Sequence, residues 1–168
     1  MTPEEFEYAT LSANEPNWKP TNFQAHGRMW CVGPFCEKEG VKTVLDLGTH
    51  RGRGSTYSFL KHGCIVTAVD VVDIFDAPYP EEYFSRLTRL ISTNANLTFP
   101  EGTKFDMVFI DTSHEHANTR VEIELAKKYA SRFIGFDDLN AAGVAQPIAE
   151  AGLKIEVIGE HIGVYRIV

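Results

Sequence analysis

Acids at four places, a glycine run and two histidines are the residues of this 168-residue chain with chemistry to offer. Asp46 is followed closely by Gly48-Thr49-His50-Arg51-Gly52-Arg53-Gly54-Ser55. Glycines at 48, 52 and 54 let a backbone approach a ligand closely, and a helix opening after them would present free N–H groups. The spacing is G-x-x-x-G-x-G, not the G-x-G-x-x-G of nicotinamide dinucleotide sites, so that cofactor is disfavoured. Asp70 follows Gly48 by 22 residues, the interval at which an acid accepts hydrogen bonds from ribose hydroxyls. Asp111 and the pair Asp137-Asp138 come next, with His114 and His116 just after Asp111. An imidazole titrates near neutral pH and can deprotonate a hydroxyl, which makes His114 a candidate base. The alternative is a helix-start histidine bonded to nearby backbone.

These residues need elements to bring them together. Short apolar runs at 43–47, 64–69, 90–93, 105–110 and 133–136 read as strands. Helical stretches at 55–62, 81–90, 117–129 and 145–151 alternate with them. In the third, Ala117, Val121, Leu125 and Tyr129 recur every four residues and define the expected core face. Gly63 and Gly152 suit left-handed helix ends. Runs at 154–158 and 162–167 read as a terminal hairpin. Alternation of this kind predicts a doubly wound, Rossmann-like α/β fold: seven strands, mostly parallel, the last antiparallel and inserted beside the fifth. Ligands of such sheets bind at the carboxyl ends of the strands, where all four acidic positions converge. Asp at one or two such junctions is explained by helix capping alone.

Residues 1–40 differ from the rest. Pro3, Pro16, Pro20 and Pro34 are interspersed with Phe6, Tyr8, Trp18, Phe23 and Trp30. They read as a short helix over 3–11 and then irregular chain, a lid, a dimer contact that would make a homo-oligomer, or a plain strap. Residues 41–168 form the expected domain. Apolar residues make up 43% of the chain, enough for a core, and the net charge of −7 with no basic cluster argues against nucleic acid as a partner. No apolar run is long enough to span a membrane, and the acidic opening has no signal core, so a cytoplasmic location is expected. Three cysteines, Cys31, Cys36 and Cys64, suit neither a disulfide framework nor a zinc cage.

The segment Val44-Leu45-Asp46-Leu47-Gly48 with its glycine run resembles the first motif of class I S-adenosylmethionine-dependent methyltransferases. Phe105-Asp106-Met107-Val108-Phe109-Ile110-Asp111-Thr112-Ser113-His114-Glu115-His116, then a helix, then Phe136-Asp137-Asp138-Leu139, is similar to a narrower group, the cephalosporin-hydroxylase-like proteins and natural-product O-methyltransferases. The resemblance covers residues 41–168. It implies that Gly48 and its loop, with Thr49, His50, Gly52 and Ser55, face the methionine moiety, with Asp46 near its amino group. Asp70 would hold the ribose hydroxyls and Asn94 would lie near the adenine. Asp111 would border the cofactor, and with His114 serve catalysis. Asp111, Asp137 and Asp138 match carboxylates that hold a divalent cation in some members. Three close carboxylates repel one another unless a cation such as magnesium neutralises them.

The sequence departs from the group where Ala130-Ser131-Arg132 replaces a Pro-Gly-Gly turn, and where Arg51 and Arg53 charge the glycine loop. The expected activity is methyl transfer from S-adenosylmethionine to the oxygen of a small hydroxylated molecule, assisted by a metal. A non-catalytic S-adenosylmethionine or nucleoside-binding module is the alternative, with a nicotinamide-dependent oxidoreductase behind it.

Overall fold

The computed structural model describes residues 28–75 and 79–167. The expected helix over 3–11, and the strap as far as residue 27, lie outside the described residues. A 3-10 turn, Arg28–Cys31, leads into α1 (Val32–Glu39). Then follow β1 (Thr43–Leu47), α2 (Ser55–Lys61), β2 (Ile65–Asp70), α3 (Glu81–Phe84) and β3 (Leu87–Ile91). A 3-10 turn at Asn94–Asn96 precedes β4 (Phe105–Ile110), α4 (His116–Tyr129), β5 (Ala130–Phe136), α5 (Ala142–Glu150), β6 (Ile155–Gly159) and β7 (Ile162–Arg166).

The seven strands form one sheet in the order β3-β2-β1-β4-β5-β7-β6. The first five are parallel, and β7 lies antiparallel between β5 and β6, as the terminal hairpin predicted. Period-two alternation splits the central strands between two cores. Val44, Met107, Phe109 and Phe133 face α1 and α2. Leu45, Leu47, Val108, Ile110, Ile134 and Phe136 face α4 and α5. Edge-to-face ring pairs tie the first layer together, Phe35 with Phe133 at 5.2 Å and Phe59 with Phe109 at 5.5 Å. Order reverses at β1 and β4, whose following connections leave toward opposite edges of the sheet and open a crevice.

Residues 28–39 are helical and supply Val32, Phe35 and Cys36 to the core. Three expectations are corrected. The helix expected over 81–90 is one turn long, because Leu87–Ile91 pairs with β2 and forms β3 three residues early. β5 starts at Ala130 with no turn after α4, and α5 begins at Ala142 rather than 145. The buried face of α4 is not the expected stripe: Leu125 and Tyr129 are buried, but Ala117 is exposed and Val121 is 45% exposed. Thr119, Glu122, Ile123 and Ala126 complete the inward face. No helix among the described residues is long and apolar enough to cross a membrane.

Candidate active site

The carboxyl ends of β1, β2, β3 and β4 open into a cleft of about 500 Å3. Its lining includes Gly48, His50, Asp70, Asn94, Asp111 and Glu122. The loop after β1 is shaped by backbone pairing: Gly48 and Thr49 N–H groups donate to Val69 O, and Gly52 N–H donates to Thr49 O at 2.8 Å. Gly48 has φ +85°. A Cβ there would stand 1.8 Å from the Asp111 carbonyl oxygen. Its smallness thus lets the β1 and β4 ends close on each other beside the cleft. At Gly52 a Cβ would strike the Phe75 ring. These two glycines serve the packing of the chain's own loop, a use that the spacing alone did not reveal.

Asp70, at the end of β2, organises the same loop. Its Oδ2 accepts from His50 N–H at 2.6 Å, and its Oδ1 accepts from Val71 and Val72 N–H groups at 2.7 and 3.2 Å. Oδ1 is thereby filled, and Oδ2, with one donor, keeps a lone pair for a further partner. Asp46 lies elsewhere. It is 0% exposed, on the strand face turned to α2. It accepts from the hydroxyls of Thr56 at 2.6 Å and Ser55 at 3.0 and 3.1 Å. Burial pushes its carboxyl up to about 7, against the pull of the two hydroxyls and with a further push from Asp111 and Asp70. Asp46 and Ser55 are therefore bonded to each other beneath the loop and are absent from the cleft lining, as are Thr49 and Gly52.

At the other rim the structure brings together Asp111, His114 and Asp138, whose ligand atoms all lie within 4.8 Å of one another. His114 Nε2 is 3.2 Å from Asp138 Oδ2 and 3.5 Å from Asp111 Oδ1. Neither approach has hydrogen-bond alignment, and Nε2 is enclosed. The Asp111 and Asp138 carboxylates hold the imidazole above its usual pKa despite partial burial. His114 and Asp138 both have left-handed backbone, φ 55° and 51°, conformations that cost about 1–3 kcal/mol for residues with a Cβ and gather at functional sites. Gly143 in α5 permits the His114 strain: a Cβ there would lie 2.0 Å from the His114 carbonyl oxygen. The chain turns after Asp138, with Ala141 N–H donating to Asp138 O. Asp137 is buried and is not one of the three. His116 is turned away, 3.0 Å from Glu150.

Glu122 of α4 was missed by the sequence reading. It is 1% exposed, and its Oε1 accepts from Thr112 Oγ1 at 2.6 Å and Asn94 Nδ2 at 2.5 Å. Burial raises its pKa, opposed by those two donors. Its place three residues after Thr119 and four before Ala126, both buried, was the only signal, and the assumed apolar stripe hid it.

No family model matches the chain, and no curated protein matches it by sequence. Solved structures do match it by shape. A Klebsiella pneumoniae protein described as a candidate O-methyltransferase shares 16% identity, with TM-score 0.68 over 100% of this chain and 90% of that one. An O-methyltransferase from Bacillus cereus, in complex with SAH, shares 18% identity, with TM-score 0.61 over 98% and 89%. The 1,6-didemethyltoxoflavin-N1-methyltransferase of Burkholderia thailandensis, bound to 1,6-didemethyltoxoflavin and S-adenosylhomocysteine, shares 16%, with TM-score 0.63 over 99% and 90%. At these identities the likeness establishes the fold: a Rossmann-like, seven-stranded sheet of the kind seen in class I methyltransferases.

Proposed function

We propose that the chain is an S-adenosylmethionine-dependent methyltransferase acting on the oxygen of a small hydroxylated molecule. One observation carries the reading. A single cleft at the strand ends is lined by the loop glycine Gly48, the β2 acid Asp70, Asn94 after β3 and Asp111 after β4, on a fold that relatives use with S-adenosylhomocysteine bound. Asp70 receives the ribose hydroxyls, and His50 with Gly48 borders the amino-acid end. The bound cofactor supplies an electrophilic methyl group. The chain's task is then to hold an oxygen nucleophile in line with it and keep water out, which is positioning rather than covalent catalysis.

Asp111 faces the cleft and lies in the Asp111–His114–Asp138 group, so it accepts the hydrogen bond of the acceptor hydroxyl and orients its lone pair. His114 Nε2 lies between the Asp111 and Asp138 carboxylates, and it positions Asp111. The three donor atoms also fit a divalent cation, which would lower the pKa of a bound hydroxyl. Two carboxylates with one imidazole favour manganese or another transition ion over magnesium. A small acceptor suits a cleft of this size, and the Burkholderia structure of the same fold holds a small molecule, 1,6-didemethyltoxoflavin. Three cysteines, Cys31, Cys36 and Cys64, an odd count without close pairs in sequence, suit a reducing, cytoplasmic setting.

Calorimetry with S-adenosylmethionine, S-adenosylhomocysteine and NAD tests the cofactor. Turnover to S-adenosylhomocysteine with a panel of phenols, catechols and sugars tests the activity. Micromolar binding of the first two ligands and none of NAD is expected. Binding without turnover on any hydroxylated acceptor would leave a nucleoside-binding module.

A further inference from the structure

We infer that Glu122 selects the nucleoside base, its Oε2 accepting a hydrogen bond from the exocyclic amine of a 6-aminopurine. The inference rests on the nucleoside-cofactor reading above and adds the group that reads the base. Glu122 is buried on α4 yet lines the cleft. Both hydrogen bonds that its carboxyl accepts fall on one oxygen: Thr112 and Asn94 donate to Oε1. Oε2 is buried and has no partner. Buried polar atoms are nearly always satisfied, and an orphaned carboxylate oxygen at a cleft wall calls for a donor from the ligand.

The position of Glu122 says which donor. Asp70 ends β2, Asn94 opens the turn after β3, and Glu122 rises from α4, all around one cleft. A ribose held at Asp70 leaves its base toward Asn94, Ala95, Val121 and Glu122. Ala95 and Val121 offer apolar contact to a flat ring. Asn94 is already committed through its amide nitrogen to Glu122. The edge of the base therefore meets an acceptor with free lone pairs. A 6-amino group donates to it. A 6-oxo group would set lone pair against lone pair, and a site built to bond a donor rejects an analogue lacking it.

The test is calorimetric, on the full chain, with S-adenosylhomocysteine, S-inosylhomocysteine and the N6,N6-dimethyl form of S-adenosylhomocysteine. Wild type should bind the amino compound about tenfold or more tighter than either analogue. Glu122→Gln presents an amide N–H2 where Oε2 stood, so the preference of amino over oxo should narrow about tenfold or invert, with the melting temperature little changed. The dimethyl arm needs no variant: if wild type binds it as tightly as S-adenosylhomocysteine, the inference is overturned. An amino-to-oxo ratio unchanged by Glu122→Gln overturns it too, and would mean that a protonated Oε2 donates to a ring nitrogen. Binding of S-adenosylhomocysteine without discrimination sinks this inference alone, whereas no binding of it at all sinks the cofactor reading with it.

Discussion

At the scale of single residues, two aspartates that look alike in sequence do opposite work. Asp70 is half-exposed at the cleft and gathers three backbone N–H groups. Asp70→Asn should weaken S-adenosylhomocysteine binding roughly 10- to 100-fold, the equivalent of about 1.5–3 kcal/mol for a lost charged acceptor; unchanged affinity by calorimetry would move the ribose elsewhere. Asp46 is fully buried, with its carboxyl pushed up to about 7 by that burial. In the unfolded chain it titrates near 4. A carboxyl raised in the folded state holds its proton more tightly there, so its contribution favours folding below about pH 4 and is lost as pH rises to about 7. Urea midpoints at pH 5 and pH 8 should therefore differ more for wild type than for Asp46→Asn. Equal differences would show that Asp46 is ionised in the fold throughout.

At the scale of elements, α4 and β5 show how packing sets limits that pattern does not. The inward face of α4 carries Thr119, Glu122, Ile123 and Ala126, while Ala117 faces solvent. On β5, Gly135 leaves room for β4 side chains: a Cβ there would stand 2.4 Å from Met107 Cε and 2.5 Å from Phe109 Cδ2. Met107 and Phe109 are both fully buried against α1 and α2. Gly135→Ala should destabilise the fold by about 1–3 kcal/mol, the usual result of overpacking. Denaturant unfolding checks this, and a neutral or stabilising result would mean that Met107 swings aside without loss.

At the scale of the whole molecule, the acid–imidazole group lies where the ends of the adjacent strands β4 and β5 meet the segment leading into α4, so an ion held there links them. Asp111 follows β4 and Asp138 follows β5, with His114 between β4 and α4. Any ligand that binds only the folded form raises its stability by mass action. Manganese in large excess should raise the melting temperature by on the order of 5 °C, with a smaller effect of magnesium, because imidazole is a poor ligand for the harder ion. Asp138→Asn should abolish most of the shift, and Asp137→Asn should not. A shift that survives Asp138→Asn would exclude this group as the site.

What the sequence determined by itself was local and periodic. Alternating apolar runs separated by helical stretches sufficed for seven strands, their directions and the inserted antiparallel β7, because hydrophobic period and connection length are one-dimensional properties. The convergence of strand ends in this topology placed Gly48, Asp70 and Asp111 around one crevice, and the resemblance to class I methyltransferases added His50 and Asn94. Only the tertiary structure decided which way each side chain turned. Asp46 and Asp137 sit beside the right elements but are buried, Asp46 because alternation along β1 turns it to the α2 side of the sheet. Asp111 joined His114 and Asp138 because two left-handed residues and the space at Gly143 bend the chain there. Glu122 came to the cleft through the rotation of α4. A helix settles its rotation by the summed fit of all its contacts, and a single apolar stripe with Leu125 and Tyr129 in common leaves that angle open.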